Sequence, residues 1–425
     1  MTSIALHLLA PLALALSGAS ADTVSEEAPV GIAISSAKAL TCAAEGPQVV
    51  DHALVLVRDG KIEAIGRQGE VEVPEGYGHV DLGDQWLMPG MIDLHCHVGG
   101  TFDINDGVFL ANPGLRASVA VIPGNSSLKR GLASGVTSVL FIPGSGTNVG
   151  GQGILFKAGH DHFDDALIRQ HGSLKIAQWG NPERWMIRPG KTFENYTIRE
   201  IIRRGKGYAA RRAAAADGSG PAAAFDPQLE IFDEIFNRDV PISVHTQIYQ
   251  VVLATIDIIA KEMGANVFID HGTFDGYLAA ELAAEAGVNA ILGPRNVDMP
   301  NRGIMNWVGA NPERMQGVAA GYQERGHPMI GFNTDSPVIP QEELSLQATL
   351  AARHGFVDDV LQTVRGLTIV PAITAGIDDR IGSLEVGKDA DILVITGHPA
   401  DPRTSIEHIW CDGITVYDAK EQRLW

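Results

Sequence analysis

The sequence predicts an α/β protein, a (β/α)8 TIM barrel carrying a small composite β-sandwich built from both ends of the chain. Three observations lead there. Eight short apolar strand candidates begin near Met91, Thr137, Ile154, Leu174, Ile242, Val267, Val288 and Met329, with helical segments between them, the pattern of a parallel α/β fold. Several of these strands end in histidine or aspartate, and a barrel gathers such ends around one point at its C-terminal face. The two terminal segments mirror each other, each reading strand, Asp-Gly, strand, and neither has enough apolar surface to stand alone.

Taken in order, residues 1–21 read as an export signal. Ile4 to Leu16 is apolar and too short to span a bilayer, and Ser17-Gly18-Ala19-Ser20-Ala21 has the small residues of a cleavage site. The sandwich is assigned to residues 22–87 and 385–425. Its hairpins are Ala53–Gly66, turning on Asp59-Gly60, and Ile409–Tyr417, turning on Asp412-Gly413, because Asp-Gly supplies the positive φ of a tight hairpin turn. Residues 88–384 form the barrel. Within it, the Ala- and Arg-rich stretch Gly205–Pro227 reads as a solvent-facing helix followed by a mobile loop between the fourth and fifth strands. Gly144–Gly153 lacks the lysine and hydroxyl ending of a P-loop and reads as a flexible active-site loop after the second strand.

The chemistry concentrates at strand ends. In Met91-Ile92-Asp93-Leu94-His95-Cys96-His97, side chains at i and i+2 share a face, so His95 and His97 point together and Cys96 points away. Paired imidazoles suit a divalent transition metal. Ile242-Ser243-Val244-His245, Val267-Phe268-Ile269-Asp270-His271 and Ile330-Gly331-Phe332-Asn333-Thr334-Asp335 add His245, His271 and Asp335. Buried strands ending repeatedly in unpaired polar groups would be costly, so these five are read as a ligand cluster. His160, Asp161 and His162 follow the third strand on a polar stretch and are read as a solvated face rather than a metal site. Asn195-Tyr196-Thr197 fits a glycosylation acceptor, a common chance match.

Composition bounds the partners. The 425 residues are 45% hydrophobic and 20% charged, which describes a globular chain. A formal net charge of -19 argues against nucleic acid. A small-molecule substrate is expected, with no stable membrane insertion after signal cleavage, a periplasmic or secreted location, and homo-oligomerisation left open. The three cysteines read either as free, buried thiols or with Cys42 and Cys411 paired if the terminal segments share a sheet, Cys96 being fixed on the first barrel strand.

Together, Met88–His97, Gly135-Val136-Thr137-Ser138-Val139, Val244-His245, Asp270-His271-Gly272, Asn333-Thr334-Asp335 and the tail Asp379–Val394 resemble the amidohydrolase superfamily, in its imidazolonepropionase-like branch that also includes prolidase-like dipeptidases. The resemblance implies metal-dependent hydrolysis with Asp335 as the base acting on bound water. It implies that His95 and His97 hold the more buried metal. His245 and His271 then hold a second, or His245 completes a single site while His271 contacts substrate. One or two divalent ions are implied, with zinc expected and iron the alternative. Binuclear relatives bridge their metals with a carbamylated lysine or a glutamate. Lys157 is taken here as the bridging lysine or else a substrate-binding cation, although it falls on the third strand and the family's lysine on the fourth. Where relatives commonly place a glutamate before Asn181-Pro182, this chain has Gly180.

The function expected is an exported metal-dependent amidohydrolase cleaving an amide or cyclic amide C–N bond, in a dipeptide or acylated amino acid. The alternatives are a heterocycle deaminase and a catalytically silent binding protein on the same barrel. Gln247, two residues after His245, is an amide without useful acidity and disfavours deamination.

Overall fold

The computed structural model describes residues 29–101, 104–107, 109–178, 182, 189–294, 296–298 and 315–423. The expected export signal and Gly180 lie outside the described residues.

Eight strands form a barrel-like sheet in chain order: Met91–Cys96, Val136–Phe141, Val149–Lys157, Leu167–Ala177, Ile242–Thr246, Val267–His271, Ala290–Leu292 and Ile330–Phe332. Their apolar runs are buried on both faces, as a sheet covered by helices requires. The sheet nearly closes. Cys96 bridges Ser336 just beyond the eighth strand, and His97 N donates to the Ser336 carbonyl at 2.8 Å. The expected helix in the Ala-rich segment is the C-terminal half of a long one, Lys191–Ala216, between the fourth and fifth strands.

The third strand departs from the expected barrel by running antiparallel to both neighbours. The reason lies in connection length. Only residues 142–148 separate the second and third strands, whereas a parallel crossover needs a dozen or more residues. The chain therefore folds straight back.

That reversal corrects the reading of Lys157. As the last residue of a reversed strand it pairs with Ser138, near the start of the second strand, and so lies at the end of the barrel away from the strand-terminal histidines. Its Nζ is 2.8 Å from Asp389 Oδ2, 3.0 Å from Asp391 Oδ1 and 2.6 Å from Asp412 Oδ1. Burial alone would lower its pKa, but these carboxylates, Asp391 foremost, more than offset it and hold the pKa above the usual lysine range. A lysine kept protonated has no lone pair for carbamylation, and one at the far end touches no substrate at the mouth. Asp389 and Asp391 come from the tail motif, so the role of that motif here is to anchor the barrel to the C-terminal strands. Lys157→Met should cost about 3–5 kcal/mol, the usual penalty for stranding buried charges, read as a lower midpoint in urea unfolding.

The terminal segments do join in one sheet. Its order is Ile414–Asp418, Ile406–Cys411, Ile392–Ile395, Trp86–Pro89, Gly31–Leu40, Val49–Arg58 and Lys61–Arg67, with Tyr77–Asp81 also pairing on Gly31–Leu40. Both Asp-Gly turns take positive φ at both residues, 50° and 76° at Asp59-Gly60 and 50° and 71° at Asp412-Gly413.

The same strand order corrects the paired reading of Cys42 and Cys411. Cys42, Cys96 and Cys411 are all free and buried. Two strands, Trp86–Pro89 and Ile392–Ile395, stand between the one that leads to Cys42 and the one that ends in Cys411. Three interstrand steps amount to roughly 14 Å, twice the Cα separation of about 7 Å that a disulfide tolerates.

Candidate metal centre

Four strand ends converge on one point. His95 comes from the first strand, His245 from the fifth, His271 closes the sixth, and Asp335 follows the eighth. His95 Nε2 is 2.9 Å from His97 Nε2 and 3.1 Å from Asp335 Oδ1, and His97 Nε2 is 3.4 Å from the same oxygen. His271 Nε2 lies 2.9 Å from His245 Nδ1 and 3.9 Å from Asp335 Oδ2. The structure thus brings together all five residues singled out in the sequence.

The donor set fits a divalent ion. His97 Nδ1 is 3.0 Å from the Ile142 carbonyl and His271 Nδ1 is 2.7 Å from the Gly293 carbonyl. A carbonyl only accepts, so each Nδ1 carries the proton and each Nε2 turns a lone pair inward, as in metal-ligating histidines. Burial, the largest cause in each case, pushes His97, His245 and His271 towards the neutral form, His271 to about 4. The inward lone pairs of His97 and His271 are free to bind a cation. His95 differs. Burial opposes its charged form, but Asp270 and Asp335 outweigh that and raise its pKa. Burial likewise opposes ionised Asp335, yet the His95 and His271 imidazoles hold its carboxyl far below the usual range.

Two of the five sit on strained backbone, His271 at φ 80° and Asp335 at φ 51°. Such conformations cost of order 1 kcal/mol and cluster where function requires them. The Asp335 turn is held by Asp93, which accepts from Thr334 Oγ1 at 2.6 Å and Gln341 Nε2 at 3.4 Å. Burial pushes Asp93 up to about 6 despite those bonds.

Sequence reasoning missed Lys175. It is fully buried in the fourth strand, its Nζ 3.1 Å from Asp270 Oδ2 and 3.5 Å from His95 Nε2. Asp270 Oδ2 in turn lies 2.7 Å from His95 Nδ1. The available signal was a lysine inside Leu174-Lys175-Ile176, since a charge buried in a strand demands a partner. Lys175, not Lys157, occupies the strand that the superfamily resemblance reserves for a bridging lysine. Ser145 was also missed, its Oγ 2.9 Å from His245 Nδ1. It lies in the glycine-rich segment, whose second half, from Val149, is buried strand rather than flexible loop.

The depressed imidazoles give a pH dependence to the metal-free fold. A free imidazole takes a proton near 6.5, whereas His271 resists until about 4. Between those values the unfolded chain binds more protons at His97, His245 and His271, against one fewer at Asp93, whose folded carboxyl holds its proton up to about 6, so stability should fall as pH drops through that window. Denaturant midpoints of chelated protein at pH 7, 5.5 and 4 check it, and a flat profile would contradict it.

Residues 86–417 match the amidohydrolase family. The chain is 23% identical over 429 residues to Amidohydrolase tasK of Hapsidospora irregularis, covering 88% of this chain but only 40% of that relative's length. It is 23% identical over 381 residues to an imidazolonepropionase of Brucella anthropi, covering 82% of this chain and 88% of that one. Among solved structures, an amidohydrolase from Thermotoga maritima MSB8 superposes with a TM-score of 0.77 at 28% identity, over 91% of this chain and all of that one. A prolidase complexed with N-methylphosphonate-L-proline shares the fold, with a TM-score of 0.55 at 17% identity over 91% of this chain and 100% of that one. With the family match spanning most of its length, the chain belongs to the amidohydrolase family.

Proposed function

We propose that this protein is an exported, metal-dependent hydrolase of an amide or cyclic amide C–N bond in a small molecule, with Asp335 as the general base and then the general acid. The observation that carries the reading is the placement of the Asp335 carboxylate against His95, His97 and His271 at once. His95 and His97 would hold one ion, and His245 and His271 a second. A divalent ion, zinc before iron, would supply water acidified towards neutrality and a polarised carbonyl. Asp335 accepts the proton from the attacking water and returns it to the leaving nitrogen, the two halves of acid–base work. The Nδ1 bonds to Ile142 and Gly293 keep His97 and His271 oriented and neutral throughout.

A small substrate suits a cleft walled by residues on either side of the Ser145 loop, although none of the five candidate ligands lines it. This cleft of about 520 Å³ is lined by Asn105, Leu115, Arg116, Pro143 and Gly150. Asn105 Oδ1 accepts from Gly146 N, tying one wall to the loop that carries Ser145. That volume fits a dipeptide or N-acyl amino acid, a class in keeping with the prolidase among the structural neighbours. The test is chelation, reconstitution with zinc, and a screen of dipeptides, N-acyl amino acids and cyclic amides. Metal-dependent amine release supports the reading. Ammonia release without amide cleavage would favour a deaminase, and no turnover by stoichiometrically loaded protein would favour a binding protein. Export predicts a mature chain beginning after Ala21, readable by N-terminal sequencing of protein from the periplasm or medium.

A second ion would call for a bridging ligand, and Lys175, if released from its pairing with Asp270, would be the lysine to supply it as a carbamate. Lys175→Met should lower metal content from two per chain towards one, measured by elemental analysis on folded protein. A parent that already binds one ion at this centre would remove the bridge and leave Lys175 as the counter-charge of Asp270.

A further inference from the structure

At the opposite end of the barrel, His160, Cys411 and Asp412 each present a ligand atom within 4.8 Å of the others. They come from two elements far apart in sequence, the turn after the third barrel strand and the tip of the C-terminal hairpin. His160 Nε2 is 2.8 Å from Asp412 Oδ2. Asp412 Oδ1 and Asp391 Oδ1 are engaged by Lys157. The Asp391 carboxyl is buried, accepts from Asp412 N at 2.9 Å through Oδ1, and is paired with the Cys411 thiol. Gly159 makes room for the sulfur, since a Cβ there would stand 3.1 Å from Cys411 Sγ. A cleft of about 470 Å³, lined by Ala158, Gly159, Asp161 and Val416, opens beside this turn.

We propose that His160, Cys411 and Asp412, completed by Asp391, form a second metal site for a zinc-class divalent ion, tying the Gly159–His160 turn to the C-terminal hairpin. One sulfur, one imidazole nitrogen and two carboxylate oxygens match zinc in number and type. The thiol disfavours calcium and magnesium, which take oxygen ligands. Binding forms the metal–sulfur bond as the Cys411 S–H proton leaves to solvent. The three positive groups on this network, Lys157 on all three aspartates and Lys61 and Arg380 on Asp389, already balance Asp389, Asp391 and Asp412. The ion therefore adds a single net positive charge once the thiolate is counted.

Cobalt(II) reads this site apart from the central cluster, whose candidate ligands contain no sulfur. Chelator-stripped full-length protein titrated with Co²⁺ should develop a thiolate-to-cobalt charge-transfer band in the near ultraviolet, displaced by added Zn²⁺. The band should survive His95→Ala and vanish in Cys411→Ser. His160→Ala should raise the cobalt concentration for half-maximal absorbance more than tenfold, since even an outer partner of a metal ligand is worth about 10–100-fold. If Cys411→Ser does not fold, His160→Ala decides. Cobalt binding without the band, a band that persists in Cys411→Ser, or an unshifted titration in His160→Ala would each overturn the site.

Discussion

His95→Ala should remove the central metal and turnover together. His95 is the hub of the cluster, with its Nε2 within 3.1 Å of both His97 Nε2 and Asp335 Oδ1 and its ring centroid 4.4 Å from that of His271. Losing it would remove a proposed direct ligand and the Nδ1 partner of Asp270. Metal affinity should fall more than about 100-fold, beyond the range seen when only an outer partner of a ligand is lost. The fold should survive, because Asp270 keeps Lys175 at 3.1 Å and is not left as an uncompensated buried charge. His97→Ala should behave alike in metal content, with less effect on stability because its side chain is 12% exposed. Elemental analysis and turnover on the same preparations check both variants. Stoichiometric metal with full activity in either would sink the assignment of this centre.

The eight strands were legible because a buried strand is a short apolar run whatever its direction. Direction itself is not written in apolarity, and the third strand shows this. Ile154-Leu155-Phe156 reads the same in either orientation, and only the short connection at residues 142–148 carried the information that the chain turns back. The error then moved Lys157 to the wrong end of the barrel. The strand-end histidines were legible for the opposite reason, since polar residues stand out at the close of an apolar run. Lys175 did not stand out as a functional group because it lies within its strand rather than at the end, where attention to strand termini passes over it. The partners of Cys42 and Cys411 depended on strand order within the shared sheet, a long-range property that the Asp-Gly hairpins could not encode.

Asp335→Asn should keep the metal and lose the chemistry. The substitution preserves shape and leaves an oxygen facing His95 and His97, but an amide cannot take up a proton as a carboxylate does. The backbone tolerates it, since asparagine shares with aspartate the capacity for the positive φ of 51° found here. Asp93, which holds the turn through Thr334 Oγ1, is untouched, so the loop should stay in place. Turnover is expected to drop by roughly 100-fold or more, the usual size of a lost acid–base contribution, with metal content within a factor of two of the parent. The pairing of those results matters. Loss of metal along with activity would make Asp335 chiefly a ligand, and turnover within a few-fold of the parent would remove it from proton transfer altogether. Asp335→Ala separates the two roles further. It deletes the oxygen beside His95 and His97 as well as the base, so if the carboxylate also ligates, Asp335→Ala should lose metal where Asp335→Asn retains it.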